Sequence, residues 1–279
     1  MNPTRPVMRY HGGKWRLAPW IISHFPRHEL YVEPFGGAAS VLLRKIPSQQ
    51  EVYNDLDSEI VNVFRILRDQ KRATELTRLM FLTPHSREEF NRAFEPSDNP
   101  VEQARRTLIR AGMGHGSNAA TRISQSGFRS KRMGFASPAW DTANYPPCIP
   151  AFIERLRSVV IENRQAVDVI SLYDSPVTLH YIDPPYLPET RTFSEKSYRH
   201  EMTPAQHHEL ADVLHSVQGM VIVSGYDSLL YRELYADWHM TTYTTRAEHA
   251  VSRTEVLWLS PKATRHTQQI ALMDYCKAK

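Results

Sequence analysis

An α/β fold, a parallel sheet interrupted midway by a helical module, is what the order of apolar patterns predicts. Short apolar segments ending in turns alternate with helical periodicity in the first and last parts of the chain. Between them, residues 71 to 114 carry helical periodicity without a strand pattern. At 279 residues there is room for one large α/β domain and a smaller second module.

Taken in order, Leu30 to Glu33 is short and apolar, meets a glycine turn and leads into Ala38-Ala39-Ser40-Val41-Leu42-Leu43, predicting strand, loop and helix. Glu51-Val52-Tyr53-Asn54 predicts a second strand, and Glu59 to Arg68 places Ile60, Val63, Phe64 and Leu67 on one helical face. The following helices are broken at Thr83-Pro84 and across Pro96-Ser97-Asp98-Asn99-Pro100. Residues 114 to 147, with Gly114-His115-Gly116-Ser117-Asn118 and Tyr145-Pro146-Pro147, predict exposed loops or a hairpin and the place for a partner surface. Strands return at Val159-Val160-Ile161 and Thr178 to Ile182. Thr203-Pro204-Ala205-Gln206 combines a cap residue, a first-turn proline and a capping-box glutamine, so a helix from Thr203 to Ser216 is expected. Met220-Val221-Ile222-Val223 reads as a buried strand, and Thr254 to Leu259 as a late one able to run antiparallel.

Hydrophobic residues at 41% and charged residues at 23% place the chain among ordered globular proteins. No apolar run reaches membrane length and the opening residues lack a signal-peptide core, which predicts a cytoplasmic protein. Cys148 and Cys276 stand far apart without CxxC spacing, which suggests neither a disulfide framework nor a cysteine zinc site. The 13 histidines show no metal spacing, and His207-His208 reads as an exposed pair, so no metal is expected. Met residues and Trp258 read as packing. The net charge of +4 permits a polyanionic partner, and its distribution says more. Residues 101 to 135 hold Arg105, Arg106, Arg110, Arg122, Arg129, Lys131 and Arg132 against Glu102 alone, and residues 1 to 28 hold Arg5, Arg9, Lys14, Arg16 and Arg27 with no acid. Arg122, Arg129, Lys131 and Arg132 are the candidate nucleic-acid contacts, as phosphate binders or base readers; solvated faces are the alternative.

Glu33-Pro34-Phe35-Gly36-Gly37-Ala38 sits between strand and helix, where glycines let the backbone approach a nucleotide-like ligand. It lacks both the GxGxxG spacing and a phosphate-loop Lys-Ser/Thr, which argues against NAD or ATP. Asn54-Asp55-Leu56-Asp57 ends the next strand, where Asp55 suits ribose hydroxyls while Asp57 or Ser58 caps the following helix. The most specific signal is Asp183-Pro184-Pro185-Tyr186. An adenine amine is a poor nucleophile because its lone pair is delocalised into the ring. A carboxylate and a proline-held carbonyl can accept its two hydrogens and bias it toward tetrahedral geometry. Tyr186 adds a ring against which an extruded base can stack, and Leu187 to Tyr198 could close over such a base or be an ordinary surface loop.

With these motifs in this order, the chain resembles the Dam-type family of adenine DNA methyltransferases over most of its length. Tyr10-His11-Gly12-Gly13-Lys14 is similar to the family's N-terminal cofactor motif, Glu33 to Ser40 to its glycine motif, Asn54 to Asp57 to its ribose-binding strand end and Asp183 to Tyr186 to its catalytic motif. Arg253-Thr254-Glu255-Val256-Leu257-Trp258 is similar to its last strand. The resemblance implies a Rossmann-like mixed sheet with S-adenosylmethionine as methyl donor and double-stranded DNA as partner. It assigns Asp183, Pro184, Pro185 and Tyr186 to catalysis, and Tyr10, Lys14, Asp55 and Asp183 to the cofactor, with Glu33, Phe35 and Gly36 of the glycine turn as further cofactor-binding candidates. It further implies a discontinuous catalytic domain of residues 1–60 and 151–279, an inserted, mainly helical target-recognition domain of residues 61–150, and a place in the nucleoid of a prokaryotic or phage-infected cell. Where the family often carries an acid near Glu162-Asn163-Arg164-Gln165, this chain offers Gln165. A cytosine N4 or RNA adenine methyltransferase, a silent DNA-binding regulator and a separately encoded restriction endonuclease as companion stay open.

Overall fold

A computed structural model describes residues 2–116, 119–120, 126–131, 137–187, 198–246 and 252–265. The first half runs α1 (Ala18–Ser23), β1 (Leu30–Glu33), β2 (Gln50–Asn54), α2 (Ser58–Arg68), α3 (Gln70–Leu82), α4 (Arg87–Arg92), α5 (Pro100–Met113) and α6 (Pro138–Ala143). The second half runs α7 (Ile149–Leu156), β3 (Val159–Glu162), α8 (Ala166–Leu172), β4 (Thr178–Ile182), α9 (Pro204–Ser216), β5 (Met220–Gly225), α10 (Leu229–Leu234), β6 (His239–Arg246) and β7 (Ser252–Leu259). The seven strands form one sheet in the order β3-β2-β1-β4-β5-β7-β6. β1 to β5 are parallel, while β7 pairs antiparallel with both β5 and β6. This is the Rossmann-like mixed sheet that the resemblance implies.

Strand alternation sorts side chains to two faces. Tyr31, Tyr53, Leu179, Tyr181, Met220, Ile222, Leu257 and Leu259 pack on one side with Ile21 of α1, Ile60 and Phe64 of α2 and Phe152 of α7. Their alternating neighbours Ile182, Val221, Val223, Val256 and Trp258 pack on the other with Leu210 and Leu214 of α9 and Tyr231 of α10. Each large side chain so buried contributes about 1.5–3 kcal/mol. Helix starts follow local chemistry. The Asp57, Ser86 and Asn99 side chains accept backbone N–H groups at the starts of α2, α4 and α5, and Thr203 with Gln206 forms a capping box on α9.

Three expectations are corrected. Ala38–Leu43 is a run of turns rather than a helix: Ala39 has φ +54°, and the Leu42 N–H donates to Glu33 Oε2 at 3.0 Å instead of up the chain. Tyr145-Pro146-Pro147 leads into a 3₁₀ turn, Pro146–Cys148, and Tyr145 is buried, its hydroxyl donating to the Val7 carbonyl. His207 is also buried, 3.1 Å from the Tyr231 hydroxyl, while His208 is exposed. The helices α2 and α7, which contain positions 60/61 and 150/151, both pack on the sheet. Within the segment expected to form exposed loops or a hairpin, Gly114 and Phe128 form an isolated antiparallel bridge. No helix among the described residues is long and apolar enough to cross a membrane.

Candidate active site

The chain leaves β1 for β2 on one side of the sheet and leaves β4 for β5 on the other, so a crevice opens beyond the carboxyl ends of β1 and β4. A cavity of about 330 Å³ occupies it. Tyr10, Lys14, Glu33, Phe35, Gly36, Asp55, Asp183 and Pro185 all line this cavity, together with Gln165, Tyr198 and Arg199. Two polar atoms of its lining residues, Ser40 Oγ and Asp57 Oδ2, are buried without a hydrogen-bond partner among the described residues.

Asp183 follows β4 directly and its side chain is 19% exposed. Its Oδ1 takes both Lys14 Nζ at 3.0 Å and the Ser224 hydroxyl at 2.8 Å, whereas Oδ2 has no partner among the described residues. Lys14 is buried; burial alone would lower its pKa, but Asp183 and then Glu255 more than offset that and hold it above the usual lysine range. Tyr186 lies behind the loop, its hydroxyl donating to Glu255 Oε1. Its ring is 8% exposed, with the Lys14 ammonium 4.6 Å above the centroid and Tyr226 edge-on, so a base can stack on it only after these neighbours shift. Pro184 is buried.

On the facing wall, the glycine turn is shaped by packing as much as by any ligand. A Cβ on Gly36 would lie 2.1 Å from the Tyr53 ring, and Gly37, at φ +48°, would press one against Tyr10. The Gly37 and Asp57 amides donate to the two carboxylate oxygens of Asp55, each at 2.8 Å. Burial pushes the Asp55 carboxyl up to about 6 against these bonds. Glu33 Oε2 accepts from the Tyr31 hydroxyl and the Leu42 amide; burial pushes this carboxyl up to about 8, against the Tyr31 bond and with help from the charge of Asp183. Gln165 stands at the start of α8 without capping it.

Three contributors were not assigned roles from sequence: Ser224, Arg199 and Glu255. Arg199 bridges Asp57 Oδ1 at 2.8 Å and Glu59 Oε1 at 3.3 Å. Glu255, 5% exposed, is the first residue of the buried run of β7, and an acid opening such a run was the signal available. The basic segment, by contrast, is weaker than its count. Arg105 pairs with Glu89 and Glu102, Arg106 with Glu102 and Glu95, and Arg110 with Glu59. Arg129, expected to touch DNA, is buried and pairs with Asp141 at 2.8 Å. Lys131 is exposed, and Arg122 and Arg132 lie outside the described residues. No group of three or more His, Cys, Asp and Glu among the described residues is placed to hold a metal.

Residues 10–251 match the family described as D12 class N6 adenine-specific DNA methyltransferase. The DNA adenine methylase of Escherichia coli K12 is 25% identical over 249 residues, covering 84% of this chain and 85% of the relative. That of Serratia marcescens is 25% identical over 262 residues, covering 91% and 94%. The Type II methyltransferase M1.LlaDCHI of Lactococcus lactis subsp. cremoris is 26% identical over 253 residues, covering 85% and 86%. With the match spanning most of the chain and both walls of the crevice, this protein belongs to the D12 class of N6 adenine-specific DNA methyltransferases.

Proposed function

We propose that the crevice binds S-adenosylmethionine and that Asp183 and Pro184 orient the amine of an adenine flipped out of duplex DNA. The observation that carries this reading is Asp183 itself: one oxygen is held by Lys14 and Ser224, and the other is uncommitted at the wall of a cavity. The cavity suits the cofactor's parts. Asp55 offers a carboxylate for ribose hydroxyls, Phe35 an apolar wall for a purine, and Ser40 Oγ and Asp57 Oδ2 are polar atoms in want of partners. Tyr10, Lys14, Glu33 and Gly36 complete the binding wall. When bound, S-adenosylmethionine supplies a methyl group made electrophilic by its sulfonium charge.

Asp183 Oδ2 and the Pro184 carbonyl accept the two amine hydrogens, turning the nitrogen lone pair away from ring conjugation as the new bond forms. Pro184 and Pro185 keep the loop stiff, so little reorganisation is required at that moment. The amine proton becomes acidic once the nitrogen has been alkylated, and Asp183 accepts it; no covalent link between enzyme and base is needed. Lys131, with Arg122 and Arg132, contacts DNA phosphate or bases from a recognition region within residues 61–150, and Arg129 braces that region through Asp141. The bacterial cytoplasm, where such DNA lies, fits this reading.

The test is methyl transfer from labelled S-adenosylmethionine to unmethylated genomic DNA, with nucleoside analysis and calorimetry of cofactor binding. Label in N6-methyladenine within one short sequence context is expected, together with cofactor binding that Asp55→Ala weakens. Absent binding, or label in N4-methylcytosine or RNA, would overturn the reading.

A further inference from the structure

Glu255 closes a ring of polar contacts around Asp183. Asp183 Oδ1 accepts from Ser224 Oγ, which stands 3.4 Å from the Tyr186 hydroxyl. That hydroxyl donates to Glu255 Oε1, and the same oxygen lies 3.6 Å from Lys14 Nζ, the partner of Asp183. Two carboxylates therefore share one ammonium in a nearly water-free place. An acid at this depth is costly to desolvate, and an apolar side chain would fill the end of β7 at less expense to the fold. The antiparallel course of β7 explains how it arrives: Val256 pairs with Gly225, so Glu255 lies just beyond the carboxyl end of β5.

Resting on the reading of Asp183 as the group that receives the amine, we propose that Glu255 is a positioning residue for methyl transfer. It anchors the Tyr186 hydroxyl, and it draws the Lys14 ammonium partly away from Asp183. The carboxylate of Asp183 is thereby oriented without being neutralised, and its Oδ2 remains a strong acceptor. With Lys14 paired to Asp183 alone, the ammonium would pull charge from the oxygen that must hold the amine, and Tyr186 would lose the anchor that fixes the end of the loop.

Full-length variants separate these parts. Glu255→Gln keeps an acceptor for Tyr186 and removes the charge, Glu255→Ala removes both, and Tyr186→Phe removes the hydroxyl alone. Each is measured for single-turnover transfer to duplex DNA, S-adenosylmethionine affinity by calorimetry, and thermal melting. Glu255→Gln is expected to slow transfer by roughly 10-fold and Glu255→Ala by roughly 100-fold. Affinity and melting temperature should stay near those of the parent, and Tyr186→Phe added to Glu255→Ala should cost nothing more. Rates equal to the parent in both Glu255 variants, additive losses in the double variant, or rate losses that merely follow a fall in melting temperature would overturn the proposal. If Glu255→Ala does not fold, the nearly isosteric Glu255→Gln carries the test. Asp183→Ala separates the two levels: full activity there would sink the reading of the site, whereas an inactive Asp183→Ala beside fully active Glu255 variants sinks only the role of Glu255.

Discussion

Two buried ionic clusters lie at opposite ends of the parallel strands, and they are composed inversely. At the amino end of β2, Glu51 is one carboxylate among two cations: Oε1 takes Lys45 at 2.6 Å and Arg155 at 2.9 Å, and Oε2 takes Arg155 at 2.5 Å. Arg155 also donates to the Leu42 carbonyl, and Lys45 to Ser48. Burial works against the charge of Glu51, yet Arg155 and Lys45 hold its carboxyl below the usual range. At the carboxyl ends, Asp183 and Glu255 share Lys14, burial holds the Glu255 carboxyl above its usual range, and an oxygen of Asp183 is left over. A cluster in which every carboxylate oxygen is taken joins parts of a fold. One with a carboxylate oxygen left over retains something to offer a substrate.

Removing a carboxylate at each end is the direct way to break this comparison. Asp183→Ala leaves Lys14 paired with Glu255, so the melting temperature should hold near that of the parent while kcat falls about 10⁴-fold, roughly 5.5 kcal/mol of barrier. Substantial turnover in that variant would show that the leftover oxygen is idle. Glu51→Gln leaves Lys45 and Arg155 buried around a neutral group, and urea unfolding should reveal a loss of about 3–5 kcal/mol. Folded enzyme at a temperature well below the transition should still turn over; an unchanged unfolding midpoint would mean the amino-end cluster joins nothing.

Glu33 sharpens the contrast through pH. Its carboxyl is near 8 in the folded chain against 4.5 when free, so the folded state keeps a proton that the unfolded state loses across this window. Stability of the cofactor-free protein should fall as pH rises from 4.5 toward 8, by on the order of 1 kcal/mol per unit, and Glu33→Gln should remove that slope. A slope that survives in the variant must come from other groups. The smallest effect concerns Asp55, which titrates near 6: below that pH its carboxylate is lost, and S-adenosylmethionine affinity should weaken by up to about tenfold per unit. Calorimetry between pH 5 and 8 would show it, and a curve as steep in Asp55→Asn would assign the effect elsewhere.

The readable parts of the molecule were those where one short stretch contains its own cause. The capping box at Thr203, the capped start of α2 and the apolar strands β1, β2, β4 and β5 each depend on neighbours in sequence, and each lies where the pattern put it. All seven expected cofactor residues line one cavity for a similar reason, since strand ends and the turns after them converge at a switch point. The misread parts depend on distant partners. Ala38–Leu43 has helical composition, but its Leu42 amide is claimed by a carboxylate from β1. The basic stretch of residues 101–135 contains Glu102 as its one acid, while its other partners, Glu59, Glu89, Glu95 and Asp141, come from outside it. Glu255 drew no role because the lysine it shares with Asp183 stands far away in the sequence.

The late arrival of β7 has a consequence for biosynthesis. A ribosome releases Lys14 well before the Asp183 loop, and the strand bearing Glu255 after both. Closing contacts of such long sequence separation is slow, and it must wait for the hairpin of β6 and β7 to dock on β5. A nascent or prematurely ended chain would expose a glycine turn and an Asp-Pro-Pro-Tyr loop with no second carboxylate behind them. Pairing of the second carboxylate with Lys14 therefore waits until β7 has joined the sheet.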